Sequence, residues 1–182
     1  MIYALLSRFK SFLVRRSIYQ LALFLRLPVA WDVSAGLVVY RTTPAGRQYL
    51  LLYGRDGNLD FAKGHLEIGE TELAAARREC AEETGITAVT VAEEHDLRIR
   101  YSYVAGANER ARRQSEGKGW WVLKQVVYYP AETGSDTVVI SDEHQGYEWL
   151  SYEQALVRIV YPNARWVIQE TEKFLRNQGR IY

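Results

Sequence analysis

Between Gly64 and Ile86 the chain reads GHLEIGETELAAARRECAEETGI, and four carboxylates in it stand at spacings that can do chemistry: Glu70, Glu79, Glu82 and Glu83. On a helix, Glu79, Glu82 and Glu83 are three and four residues apart, so they project from one face. Like charges on one face repel each other, and a cation between them removes the repulsion. Oxygen-only donors suit a hard divalent ion, Mg²⁺ with Mn²⁺ as an alternative, which keeps waters and can bridge the phosphates of a substrate. Arg78 precedes the cluster and can pair with Glu70 across the loop. That pairing would hold the loop against the helix and leave the other three carboxylates for metal. Taken alone, the same glutamates also read as a solvated acidic helix face.

The full spacing separates the two readings. The segment is G-x₅-E-x₇-R-E-U-x-E-E-x-G-U, with U apolar; Gly64, Glu70, Arg78, Glu79, Glu82, Glu83 and Gly85 fill the fixed places, and Cys80 and Ile86 the apolar ones. With each fixed residue at about 7% abundance, a chance match is on the order of 10⁻⁸ to 10⁻⁹ per starting position. The segment resembles the Nudix box, complete and ungapped. The resemblance implies the Nudix fold, an α/β (α+β) arrangement with a mixed β-sheet sandwiched between α-helices. It implies a Mg²⁺-dependent hydrolase in which water attacks a phosphorus of a nucleoside diphosphate linked to another group. By position it makes Glu79, Glu82 and Glu83 metal ligands, with Gly64 part of the metal-binding set and Glu70 and Arg78 the supporting pair.

A second stretch, SDEHQGYEWL from Ser141 to Leu150, resembles the S-x-E-H-x-x-Y-x-W segment of diadenosine tetraphosphate hydrolases. Lys63-Gly64-His65 fits the same group, as does Tyr103 followed by Lys118 before an aromatic strand. This resemblance covers roughly residues 34–160. It makes Glu143 a further metal ligand or catalytic carboxylate, and His144 a neighbour that reaches phosphate or orients Glu143. It makes Tyr147 and Tyr103 stacking partners of an adenine ring, a contact of about 1–3 kcal/mol per base, and Lys63 and Lys118 contacts of the polyphosphate. Tyr147 and Trp149 also alternate as plain core residues of a strand would. Where the group has Trp and Pro before Lys-Gly-His, this chain has Leu59, Asp60, Phe61 and Ala62, and its 105–119 loop is longer.

The elements that must position these residues follow from pattern. Ser34–Tyr40 and Tyr49–Tyr53 read as strands joined by the Pro- and Gly-containing turn at 42–46. Thr71–Thr84 reads as a helix with apolar residues near helical spacing and Gly85 as its C-terminal cap. Arg98–Val104, Trp120–Tyr129, Val138–Ile140 and Tyr147–Leu150 read as strands, and 152–160 and 163–178 as helices. The polar stretch 109–118, with Arg110, Arg112, Arg113 and Lys118, reads as a loop, either solvated or clamping a charged tail. Strands, one inserted helix, more strands and closing helices suggest a mixed sheet covered on both faces, not a strictly alternating nucleotide fold.

The 182 residues, 48% hydrophobic and 25% charged, suffice for one domain without staples. A net charge of +1 argues neither for nor against nucleic acid; the expected partner is a small-molecule nucleotide substrate, with nucleic acid entering only as an RNA 5′ end. One cysteine, Cys80, cannot form an internal disulfide, which suits a reducing, cytoplasmic setting; inside a helix pattern it reads as core. Residues 1–31 carry five cations and no acid and form a basic apolar segment, read as a helix, ahead of a hydrolase domain at 32–182. That segment suits docking on the domain, peripheral membrane contact or organelle targeting. Three functions remain in view: a tetraphosphatase releasing nucleoside triphosphate and monophosphate, a pyrophosphohydrolase of nucleoside triphosphates or RNA 5′ ends, and a membrane-associated nucleotide-binding module without catalysis.

Overall fold

Alternation along two strands decides where everything else sits. The computed structural model describes residues 28–178; the basic segment expected to form a helix lies almost wholly outside them. In β1 (Val29–Thr43) the side chains of Ala35, Leu37 and Val39 enter one apolar cluster and Val38 the other; in β2 (Gly46–Tyr53), Leu50 and Leu52 join the first and Tyr49 and Leu51 the second. A period of two puts successive side chains on opposite faces of a sheet, so both faces here are buried.

Each face is covered by a different set of helices. Ala75, Ala76 and Cys80 of α1 (Glu72–Thr84) fill the first cluster. Ala155 of α3 (Tyr152–Arg158), Ile159, and Ala164, Val167 and Ile168 of α4 (Pro162–Gln178) fill the second. The expected sandwich of a mixed sheet between helices is present. The strand order is β3-β2-β1-β7-β5, with β4 on β1, β6 on β7 and β8 on β2; here β3 is Leu59–Asp60, β4 Lys63–His65, β5 Thr90–Val91, β6 Leu97–Val104, β7 Trp121–Glu132 and β8 Gly146–Ser151. Tyr40 pairs with Tyr49 across the β1–β2 hairpin, and Leu52 pairs with Tyr147 across β2–β8.

The chain divides into two compact units, the described parts being residues 28–32 with 100–124, and residues 33–99 with 125–178. The first contains a helix the sequence reading missed: 107–115 is not loop but α2 (Ala107–Ser115). Its Arg113 is 4% exposed; both terminal nitrogens reach Asp32 Oδ2 at 2.7 and 2.9 Å, and Nε donates to the Gly119 carbonyl at 3.0 Å. A buried, fully paired guanidinium is a structural anchor, so Arg113 is not a phosphate clamp.

Val138–Ile140 was expected to be a strand and is not. Its backbone bonds run to a helix end instead: the Val139 N–H donates to the Thr84 carbonyl at 2.9 Å and the Ser141 N–H to the Glu83 carbonyl at 3.3 Å. The last carbonyls of α1 have no partner within the helix, and this segment with the adjoining Ser141 supplies donors to two of them.

Candidate active site

α1 is fixed at both ends. Thr71 caps it, its Oγ1 accepting from the Ala74 N–H at 3.1 Å, and Gly85 ends it in the left-handed region at φ 70° with its N–H on the Ala81 carbonyl. Only glycine takes that conformation without strain. Ala75, Ala76 and Cys80 face the core, so Glu79, Glu82 and the partly buried Arg78 are left on the side toward β4. Cys80 is wholly buried and its thiol is pushed up by burial, as a core residue requires.

β4 enters through Gly64, which pairs with Ala35 of β1. A Cβ at Gly64 would run into the Glu79 carboxylate. Glycine here is what lets that carboxylate lie against the strand, which gives Gly64 a physical place in the set.

Arg78 does more than the sequence reading assigned to it. Nε and Nη2 bond both oxygens of Glu70 at 3.0 and 2.9 Å, Nη2 also reaches the His65 carbonyl at 2.9 Å, and Nη1 bonds Glu79 at 2.9 Å and Glu82 at 3.0 Å. The expected Glu70 pair is there, but Glu79 and Glu82 are also turned toward the guanidinium. Arginine has five donors in a rigid fork, enough to serve all of them at once. These hydrogen bonds push the Arg78 pKa up and, with the Glu67 N–H, hold the Glu70 carboxyl below its ordinary value.

Glu83 lies deeper, 7% exposed. The Lys63 N–H donates to its Oε2 at 2.9 Å, and His144 Nε2 stands 3.1 Å from its Oε1. The segment pinned to the end of α1 delivers that histidine. His144 therefore faces Glu83; of the two expected roles, reaching phosphate or orienting Glu143, the structure gives the second no contact. Glu143 is exposed on the preceding turn, and the structure brings it into no bond with the box glutamates. Tyr147 is 39% exposed, so it is not plain core. Tyr103 and Lys118 belong to the other unit, where the Tyr103 hydroxyl donates to Glu109 at 2.9 Å and Lys118 pairs with Glu116 at 2.7 Å.

Electrostatics marks two of these acids. Burial pushes the Glu79 carboxyl up against the pull of Arg78, and the Glu83 and Glu82 charges add to the rise. Burial also pushes Glu83 up, against His144, the Lys63 N–H and the Lys63 charge. Among the described residues no three acidic, histidine or cysteine side chains already converge as a metal cage, and Glu79 and Glu82 are turned toward Arg78 instead. The donor set still fits a hard divalent ion. It is all oxygen, Glu79 and Glu83 are drawn out of water, the neighbouring Glu83 and Glu82 charges add to the rise at Glu79, and Gly64 leaves the Glu79 carboxylate its place against the strand. Glu79, Glu82 and Glu83 are the residues that would hold it.

Sequence reasoning missed two contacts. One is the Asp60–Lys63 ion pair, 2.9 Å between Oδ2 and Nζ; the other is the approach of His144 Nε2 to 3.1 Å from Glu83. Asp60 stood out only as a departure from the related group's pattern, and no spacing links 83 to 144.

The comparisons with known proteins agree with this geometry. The NUDIX domain family matches residues 30–171. A bis(5′-nucleosyl)-tetraphosphatase [asymmetrical] of Mus musculus is 32% identical over 152 residues, covering 78% of this chain and 94% of that protein. An RNA pyrophosphohydrolase of Caulobacter vibrioides is 31% identical over 116 residues, covering 61% of this chain and 64% of that protein. The crystal structure of a C. elegans Ap4A hydrolase binary complex superposes with a TM-score of 0.66 at 29% identity, covering 80% of this chain and 98% of that one. With an ungapped box on a capped helix and a family match across most of its length, this chain belongs to the Nudix family and is a pyrophosphohydrolase.

Proposed function

We propose that this enzyme hydrolyses a dinucleoside tetraphosphate asymmetrically, to a nucleoside triphosphate and a nucleoside monophosphate, with Mg²⁺ held by Glu79, Glu82 and Glu83. The observation that carries the reading is what meets at Glu83: the Lys63 N–H of β4 donates to one oxygen, and the SDEHQGYEWL segment brings His144 Nε2 to 3.1 Å from the other. The two stretches that resemble the tetraphosphatase group thus meet at one carboxylate. The mouse tetraphosphatase, matched over nearly its whole length, supports the same substrate class.

The chain's own groups have distinct tasks. Bound Mg²⁺ would neutralise phosphate oxygens and lower the pKa of the attacking water. Arg78 and Glu70 tie the loop before α1 to the helix, so the carboxylates keep their places relative to β4. Lys63 reaches from β4, beside Glu83, toward a phosphate chain. The exposed ring of Tyr147 offers a face for a base.

A panel of diadenosine tetraphosphate, nucleoside triphosphates and 5′-triphosphorylated RNA, incubated with Mg²⁺ and resolved by chromatography, tests this. ATP plus AMP in equal amounts from the dinucleotide, at the highest kcat/KM of the panel, is expected. Diphosphate released preferentially from mononucleotides or RNA would replace this reading with the one the Caulobacter relative suggests.

A further inference from the structure

We infer that Asp60 is a counter-charge that competes with the substrate's phosphate chain for the Lys63 ammonium, and so sets how tightly that chain is held. This rests on the reading of Lys63 as a phosphate contact.

The bend between β3 and β4 holds the two residues in place. Between Asp60 and Lys63 lie Phe61 and Ala62, 1% and 3% exposed, and the Phe61 ring meets Tyr128 edge-on at 5.7 Å. The Leu37 N–H donates to the Ala62 carbonyl at 3.2 Å, and Gly36 has no room for a Cβ against Ala62 and Lys63. With the two middle residues pinned, the flanking pair emerges on the accessible side of the bend. Asp60 Oδ1 accepts from the Phe61 N–H at 2.9 Å and Oδ2 meets Lys63 Nζ at 2.9 Å. The carboxylate is thus oriented by the backbone, not merely drawn to the nearest cation.

Lys63 stands at the site whatever its ligand, because its N–H is bonded to Glu83 and its charge is felt there. Its side chain is 29% exposed and that of Asp60 27%, so solvent and a phosphate can reach both. A phosphate approaching the ammonium must share it with Asp60 or displace it, and in either case meets a fixed negative charge. At this exposure the opposing charge is worth a modest factor, about two- to fivefold in affinity. The consequence is weaker retention of phosphate-bearing ligands, products included.

The test is a double-mutant cycle on the full-length protein. It uses calorimetric Kd for a methylene-bridged, non-hydrolysable diadenosine tetraphosphate in Mg²⁺. Asp60→Asn keeps an oxygen for the Phe61 N–H and removes the charge; it should tighten binding about two- to fivefold. A damaged fold weakens binding, so tightening is not something a structural lesion imitates; Asp60→Ser should shift Kd the same way. Lys63→Met should weaken binding, and adding Asp60→Asn to it should then change Kd by much less. If Lys63→Met weakens binding but Asp60→Asn leaves Kd unchanged or raises it, the competitor role is overturned. If Lys63→Met has no effect, the phosphate role of Lys63 fails instead, and the inference falls with it.

Discussion

Glu83 and Glu172 are the same residue type, each 7% exposed, yet their carboxyls move in opposite directions. Burial penalises the charge of both. At Glu172 the penalty is outweighed: the Tyr49 hydroxyl donates to it, Arg176 Nε bonds it at 2.6 Å, and Arg47 Nη1 at 2.8 Å, so the group is held below its ordinary value. At Glu83 a histidine contact and one backbone N–H do not suffice, and the group stays above it. One acid joins β2 to α4 with its charge answered from within the chain. The other keeps a charge the chain does not fully answer. The proposed Mg²⁺ would answer that deficit, and perturbed groups of this kind cluster at functional sites.

The sharpest way to break the contrast is to neutralise each acid in turn. Glu83→Gln should lower kcat by more than the ~10–100-fold that losing an outer partner of a metal ligand costs. Its melting temperature without metal should be unchanged or higher, since a poorly answered buried charge is gone. Mg²⁺, which stabilises by roughly 2.7 kcal/mol at a hundred times its Kd, should raise the melting temperature of the wild type and hardly that of the variant. A metal-free variant that melts well below wild type would make Glu83 another structural acid.

Glu172→Gln should do the reverse. It strands Arg47 and weakens the bonds to Tyr49 and Arg176, at a cost of about 1–3 kcal/mol, less to the extent that the half-exposed Arg176 is screened by water. Urea unfolding should read that loss, while kcat per folded molecule stays within twofold. A large fall in kcat would mean that α4 bears on the site.

His144→Ala sharpens the comparison by stripping Glu83 of one of its few partners. Metal affinity should drop about tenfold, with His144→Asn recovering part of it. Manganese titration calorimetry reads this, and an unchanged affinity would leave His144 only a spatial neighbour.

The smallest effect is a pH limb. Glu172 has a depressed folded pKa, so its contribution is fully present above the unfolded value of about 4.3 and is lost as pH falls through the folded one. The stability gap between wild type and Glu172→Gln should therefore shrink below about pH 4.3. Glu83 has the opposite sign: its raised folded pKa makes metal-free wild type lose stability as pH rises through that value. A gap between wild type and Glu172→Gln that widened on acidification would contradict the assignment.

Local rules carried much of this molecule. The Gly85 cap, the hairpin of β1 and β2, and the helices closing the chain each depend on neighbours a few residues away, and the pattern reading located them. The box was legible for the same reason, since its spacing lies within a single helix and its entry loop. Three errors share another cause. Residues 107–115 read as polar loop because nothing local shows that Arg113 will bury itself on Asp32, 81 positions away. Val138–Ile140 looked like a strand by composition, but its backbone donors went to the end of α1. Arg78 was given one partner and has several, because a guanidinium's choice among acceptors depends on which ones the fold brings near.

From sequence alone came the reaction class, the glutamate-bearing helix and the layered architecture, because spacing along a chain is one-dimensional information. The tertiary structure decided what each carboxylate faces: Arg78 for Glu79 and Glu82, His144 for Glu83, Lys63 for Asp60. Burial and through-space charge set those pairings and the protonation that follows, and both depend on distances between segments that sequence order does not encode.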